Sequence, residues 1–272
     1  MSTGISVDLN SDLGEGFGPW SMGDDRAMLD IVSSANLACG FHAGDPVIMA
    51  DTARTARDKG VAIGAHPAFF DLWGFGRRRI AGDSPADIEK MVAYQIGALQ
   101  GVAALSGHRV SHVKPHGALY NMAAADRALA DAIANAIRAV DPRLLFVVLP
   151  GSEMERAGRA AGLAVACEVF ADRGYLDDGS LAPRGQPGAL IHDPDEAARR
   201  TVEMVTTGKV RALSGRMVAV QADTICIHGD SPAAVAMARA VRSALTDAGV
   251  AIRPMHETLR AIAVRAEARG EG

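Results

Sequence analysis

Four histidines of this 272-residue chain each follow a short apolar run. They are His42 in Ala-Cys-Gly-Phe-His-Ala-Gly-Asp-Pro, His66 in Val-Ala-Ile-Gly-Ala-His-Pro, His116 in Val-Lys-Pro-His-Gly and His228 in Thr-Ile-Cys-Ile-His-Gly-Asp. Imidazole changes charge near neutral pH and also ligates metals, so it serves as proton carrier or ligand. Acidic groups occur at a matching place. Asp8, Asn10 and Asp12 alternate along the first apolar run, and Glu15 follows in the loop. Alternation puts the first three on one face of an extended chain. Burying them unpaired would cost several kcal/mol. Asp12 is therefore either a general base or metal ligand with Glu15 nearby, or the cap of a solvated turn.

The segment Lys114-Pro-His116-Gly adds a cation. Lys114 suits an anionic substrate group or a developing oxyanion. It equally suits a structural ion pair with Asp12 or Glu168. Arg77, Arg78, Arg79 and Arg184 lie in irregular stretches and could grip a carboxylate bidentately. Asp12, His66 and His116 would suit a divalent metal with open positions, although no compact ligand motif links them. His228 is the weakest of the four, because Asp230 or Ser231 is needed to cap the following helix. His108, His112, His192 and His256 fall outside the pattern and receive no role.

Punctuation defines the elements that must carry these groups. Asp45-Pro46, Ser84-Pro85, Asp193-Pro194 and Ser231-Pro232 pair an N-cap side chain with proline at the first helical position. Ser152 and Glu155 have capping-box spacing. Gly60, Gly107, Gly162, Gly208 and Gly249 suit the position just after a helix. Between stops and starts lie apolar runs at 5–9, 34–39, 61–65, 110–114, 144–149, 164–170 and 223–228, with a short one at 250–252. Strands alternating with helices imply a parallel sheet. Seven or eight units favour a closed β/α barrel, with an open doubly wound sheet as the alternative. No composition shift marks a linker, so residues 1–272 read as one domain. The irregular stretches 172–192 and 67–83 follow strands and are placed to cover the catalytic face.

A net charge of −4 argues against a general binder of nucleic acid or anionic membrane. No apolar stretch approaches the roughly 18 residues that span a bilayer, and the start of the chain lacks a signal-peptide pattern. A soluble cytoplasmic protein is the default. Cys39, Cys167 and Cys226 read as small buried residues. Phosphate-binding loops and a Gly-x-Ser-x-Gly nucleophile are absent.

Taken together, several segments resemble the LamB/YcsF family. They are Val-Asp-Leu-Asn-Ser-Asp-Leu-Gly-Glu-Gly-Phe-Gly, Ser-Ala-Asn-Leu-Ala-Cys-Gly-Phe-His-Ala-Gly-Asp-Pro, Gly-Ala-His-Pro, Gly-Phe-Gly-Arg-Arg, Val-Lys-Pro-His-Gly-Ala-Leu-Tyr-Asn, Glu-Val-Phe-Ala-Asp-Arg-Gly-Tyr and Ile-Cys-Ile-His-Gly-Asp. The blocks span about residues 7–230. The resemblance implies a distorted TIM-like barrel of about seven parallel strands, as in the glycoside hydrolase/deacetylase fold. It also implies a place in an ATP-dependent 5-oxoprolinase, which opens 5-oxo-L-proline to L-glutamate with partner subunits B and C. On that reading Asp12, Glu15, Lys114 and His116 are catalytic, while Asn10, His42, His66, Arg77 and Arg184 bind substrate. A divalent metal (magnesium with ATP) and homo-oligomerisation stay open. So do two other roles: a stand-alone metal-dependent amidase or deacetylase, and a non-catalytic subunit that presents substrate.

Overall fold

The structure is a computed structural model that describes residues 4–229 and 233–269, with side chains of the last helix only as far as Ile262. Six strands come first in the chain: β1 (Ser6–Leu13), β2 (Ser34–Ala38), β3 (Ala62–His66), β4 (Val110–Val113), β5 (Leu145–Val148) and β6 (Val165–Phe170). A short antiparallel hairpin, β7 (Lys209–Arg211) and β8 (Met217–Ala219), stands apart from them. Then come β9 (Thr224–Cys226) and β10 (Ala251–Ile252). Parallel pairing runs β1-β2-β3-β4-β5-β6-β9, and β9 also pairs with β1. The result is a closed barrel of seven parallel strands, as expected. β10 extends the sheet only beside Ser6 and Val7.

Nine helices are described: α1 (Asp25–Leu29), α2 (Pro46–Asp58), α3 (Pro85–Leu105), α4 (Gly117–Ala123), α5 (Arg127–Val140), α6 (Glu153–Ala160), α7 (Pro194–Thr207), α8 (Ala234–Asp247) and α9 (Met255–Arg269). The expected caps are in place on four of them. Asp45, Ser84, Ser152 and Asp193 each accept hydrogen bonds from backbone N–H groups of the first turn of α2, α3, α6 and α7. Asp230, Ser231 and Pro232, where a further cap is expected, lie outside the described residues. None of the helices described is long and apolar enough to cross a membrane.

β1 is longer than its apolar run. It continues to Leu13, because Asn10 to Leu13 pair in register with Ser34 to Leu37. Its odd-numbered Val7, Leu9 and Leu13 join the core between sheet and helices. Asp8, Asn10 and Asp12 consequently point into the barrel, where all three are buried. The solvated-turn reading of Asp12 is thereby corrected. Barrels of this kind usually fill their interior with bulky branched residues. Here the lumen is largely polar, with Ser34, Asn36, His112, Lys114, Glu168 and Thr224 also buried. Only one side is apolar. Leu145 and Val147 of β5 and Ala166 of β6 form a separate small cluster with Met255 of α9.

Candidate active site

The lumen is ordered by one hydrogen-bond network that starts deep and ends at the strand ends. Asp8 accepts from the hydroxyls of Ser33, Ser34 and Thr224. Burial pushes its carboxyl up to about 6, against the lowering effect of those hydroxyls. Asn10 donates to Glu168 Oε1 at 3.2 Å and to Thr224 Oγ1 at 2.6 Å. Its carbonyl oxygen accepts from Asn36 at 2.7 Å. Asn36 also donates to Asp12 Oδ1 at 2.9 Å, and its own Oδ1 lies 3.0 Å from His112 Nε2. Burial, and then the nearby Lys114, pushes His112 down to about 3, so the ring is neutral. His112 fits because residue 64 on the adjacent strand is glycine. A Cβ there would stand 2.1 Å from the imidazole Cδ2.

Lys114 is the junction of the network. Its Nζ lies 2.9 Å from Asp12 Oδ1, 2.8 Å from Glu168 Oε1 and 3.0 Å from Cys226 Sγ. Burial alone would favour the neutral amine. Asp12, Cys226 and Glu168 outweigh it and hold Lys114 well above the usual lysine value. The same contacts act on Asp12. Burial raises it, but His66 and Lys114 hold it well below the usual carboxylate range. A carboxylate so stabilised is a weak proton acceptor, and that counts against Asp12 as the general base. The ion-pair reading of Lys114 is the observed one, with both partners engaged.

The strand-end histidines meet beside this junction. His66 Nε2 lies 3.3 Å from Asp12 Oδ2 and 2.9 Å from His116 Nδ1. His42 stacks on His116 with ring centres 3.8 Å apart, and its Nε2 is 3.1 Å from Glu15 Oε1. The same Glu15 oxygen is 3.5 Å from His116 Nδ1. Burial is the main cause that lowers both His42 and His116 well below 6.5. Among the described residues two groups are arranged to hold a metal ion: Glu15, His42, His66 and His116, and separately Asp12, Cys226 and His228. Of the expected set, His66 and His116 fall in the first group and Asp12 in the second, with Asp12 Oδ1 on Lys114 and its Oδ2 3.3 Å from His66.

A turn clamps the cluster from above. Phe75 has φ 53° and aims its carbonyl at His116 Nε2, 2.9 Å away. A bulky residue in that region costs about 1–3 kcal/mol. Asp71 offsets this by accepting from Gly74 N at 3.0 Å and Arg78 Nε at 2.7 Å. Gly76 must be glycine, since a Cβ there would come within 2.7 Å of His116 and 2.9 Å of His42.

A cavity of about 120 Å³ opens over the junction, lined by Asp12, His66, Arg77, Lys114, His116, Arg184 and His228 among others. Arg77 also lies over the Phe75 ring at 5.0 Å. Arg78 is tied to Asp71, and Arg79 faces a different cavity. Arg173, Leu181 and Arg184 show that the long stretch after β6 does cover the site. His228 belongs to the site more firmly than its sequence context indicated. β9 closes the barrel between β6 and β1, which brings His228 Nδ1 to 2.6 Å from Asp172 and its Nε2 to 3.3 Å from Arg184. Burial opposes protonation of His228, but Asp172 raises its pKa above the usual value.

Asn36, Glu168 and His112 complete the site without having been expected there as functional groups. Glu168 lies within β6 and is fully buried in the lumen. For His112 a signal existed: it is two residues from Lys114, hence on the same strand face. Nothing in the sequence singles out Asn36 before its strand is paired.

Relatives and solved structures extend these observations. The chain is 57% identical over 249 residues to a protein of Rhodopseudomonas palustris named as the A subunit of 5-oxoprolinase, covering 92% of this chain and 98% of that one. A Gluconobacter oxydans protein of the same name is 53% identical, covering 93% and 99%. The crystal structure of a lactam utilization protein from Thermus thermophilus superposes with a TM-score of 0.88 at 54% identity, covering 92% of this chain and 99% of that one. An Enterococcus faecalis structure described as a putative cellobiose-phosphate cleavage protein shares the fold alone, with TM-score 0.54 and 11% identity over 93% of this chain and 98% of that one. A family model described as LamB/YcsF matches residues 7–260. The chain therefore belongs to the LamB/YcsF family.

Proposed function

We propose that this chain is the lactam-handling subunit of a 5-oxoprolinase complex, which opens 5-oxo-L-proline to L-glutamate at the expense of ATP. The names of its relatives support the substrate and the assembly. The observation that carries the reading is Lys114, kept charged between Asp12 and Glu168 at the floor of a cavity rimmed by Arg77 and Arg184. A small cyclic amide with one carboxylate matches that arrangement. The arginines take the carboxylate, and Lys114 faces the amide oxygen where negative charge develops.

A lactam is a poor electrophile. Transfer of the γ-phosphoryl group of ATP to the amide oxygen leaves ADP and makes the ring carbon open to water. The tetrahedral adduct then expels the ring nitrogen, which takes up a proton. A second water cleaves the remaining acyl phosphate to the new carboxylate and phosphate. Proton transfers fall to Glu15, whose Oε1 lies 3.5 Å from His116 Nδ1, since His66 and Lys114 hold Asp12 well below the usual carboxylate range and burial holds His116 well below 6.5. Asn10 orients Glu168 and Lys114 from below, while stacking on His42 and the Phe75 carbonyl fix the His116 ring.

The cavity is smaller than the roughly 300–1,000 Å³ of drug-sized ligand sites. It suits a small lactam, and a second cavity of about 610 Å³ adjoins it at Asn121, Arg173, Leu181 and Arg184. Because the chain carries no phosphate-binding loop, ATP with its magnesium is assigned to partner subunits B and C, in the cytoplasm where ATP is available. The test supplies 5-oxoproline and ATP to the chain alone and to the reconstituted complex, and measures glutamate and ADP. The chain alone is expected to bind 5-oxoproline and to release neither product, while the complex releases both. Ring opening by the isolated chain without ATP would sink this reading and favour the stand-alone amidase.

A further inference from the structure

The hydrogen bonds of two histidines fix where their protons are. His66 Nδ1 lies 2.7 Å from the Lys114 carbonyl oxygen. A carbonyl only accepts, so Nδ1 carries the hydrogen and Nε2 of the neutral ring presents a lone pair. His116 is oriented the other way round. Its Nε2 faces the Phe75 carbonyl oxygen at 2.9 Å, which leaves the lone pair on Nδ1. These two lone-pair atoms point at each other across 2.9 Å. Asp12 Oδ2 stands 3.3 Å from the first and Glu15 Oε1 stands 3.5 Å from the second. Two lone pairs flanked by two carboxylates repel unless a positive charge lies between them. That charge is either one shared proton or a metal ion.

We propose that the gap enclosed by Glu15, His42, His66 and His116 is a site for one divalent cation of the zinc class. Four features distinguish it from a shared proton. One is the number of donors: a proton needs two, whereas here one atom from each of four residues lies within 4.8 Å of the others. The spacing of those donors is a second. Atoms bound about 2.1 Å from a zinc ion sit roughly 3.0–3.4 Å from one another in tetrahedral or octahedral geometry. Contacts of 2.9, 3.1 and 3.5 Å within the cluster bracket that edge length. In addition, each ligating histidine of a metal site normally donates its other N–H to a carbonyl or carboxylate, as His66 and His116 do here. His42 adds a buried Nδ1 with no hydrogen-bond partner. The last feature is access. His66 and His116 line the small cavity described above, while Glu15 and His42 line a neighbouring apolar cavity with Phe17, Trp20, Trp73 and Phe75. An ion can enter without unfolding the barrel. Three imidazoles and a carboxylate favour zinc or cobalt over magnesium or calcium.

The inference stands on geometry and does not depend on the lactam reading, although a bound ion would take Glu15 and His116 as ligands and displace the proton-transfer role given to Glu15 there. Its test is chemical. The untagged full chain is purified without chelator and its metal content measured, then stripped and titrated with cobalt(II). The expected result is about one ion per chain and visible cobalt d–d absorption with nitrogen ligation. Glu15→Gln, which is nearly isosteric, and His116→Ala should each lower affinity at least roughly 10-fold, the smaller loss seen even for groups behind the ligands. His192→Ala, at an exposed histidine away from the cluster, should leave binding unchanged and so separates this site from adventitious ions. Substoichiometric metal with no cobalt spectrum, or equal binding by the parent, Glu15→Gln and His116→Ala, overturns the proposal and leaves a shared proton in the gap. Lactam turnover enters none of these readouts, so failure here leaves the proposed reaction standing.

Discussion

Lys114 shows how a single charge organises the lumen. It sits within 3 Å of carboxylates from β1 and β6, so it ties together strands that meet only when the barrel closes. Replacing it with methionine keeps most of the volume and leaves Asp12 and Glu168 facing each other without a cation. Breaking a buried pair from one side costs about 3–5 kcal/mol, so Lys114→Met should lose that much by denaturant unfolding, together with all ring opening. Adding Glu168→Gln should restore part of the stability and none of the activity. Equal stability of single and double variants would contradict the ion-pair account. Asp8 gives a prediction in pH. Its folded pKa of about 6 exceeds the ordinary 3.8, so between those values the folded chain holds a proton that the unfolded chain releases. Stability from this group is therefore complete below pH 4 and declines as pH rises through 6, by about 3 kcal/mol for a shift of this size. Unfolding of the parent and Asp8→Asn, compared from pH 4 to 7, should show a gap that grows in favour of the variant. A constant gap would mean that Asp8 does not titrate in that window.

At the level of elements, much of this fold is legible in residue order, and the unread part has one physical source. The N-caps at Asp45, Ser84, Ser152 and Asp193 are local: each caps backbone N–H groups no more than three residues away, with Asp45 accepting from Gly18 as well. The strand-end histidines are nearly as local, since a parallel barrel gathers its strand ends on one face. Partner choice inside the lumen is not local. Asn10 meets Glu168 and Thr224 across 158 and 214 residues, and no window of sequence contains those pairs. The same reason hid Asn36 and the role of His228, whereas His112 could be placed by its spacing from Lys114. The β7–β8 hairpin escaped notice because its strands are only three residues long and mostly half-buried or exposed. Gly64 offers a test of element packing. Overpacking usually costs about 1–3 kcal/mol, and His112 has little room to yield because its Nε2 is held by Asn36. Gly64→Ala should therefore fall at or above the top of that range. In the double variant with His112→Ala, the alanine methyl should cost far less. A thermodynamic cycle that shows additivity would mean the two side chains do not compete for the space between β3 and β4.

For the whole molecule, the question is whether residues 1–272 act as one cooperative unit. Closure supports this. β1 near the start of the chain pairs with β9 and β10 near its end, so no contiguous half of the chain can complete the barrel. The lower end adds a second long-range tie. Leu145, Val147 and Ala166 form an apolar wall inside a largely polar lumen, and Met255 covers it with 2% of its surface exposed. Leu259 packs against the same cluster from one turn further along α9. The last helix is thus a plug for the barrel rather than an appendage. Removing a buried methionine side chain costs about 2–5 kcal/mol, so Met255→Ala should lower global stability by that amount. An aspartate there would add the desolvation of a carboxylate against a purely apolar wall and should cost more. The sharper expectation concerns cooperativity. Unfolding followed by far-ultraviolet circular dichroism and by tryptophan fluorescence should give a single coincident transition in the parent. In Met255→Ala that transition should move as a whole to lower denaturant without splitting. Separation of the two signals in the parent would show independent units of structure within the barrel and refute the single-domain reading. Loss of α9 alone, with the barrel midpoint unmoved, would show that Met255 does not brace it.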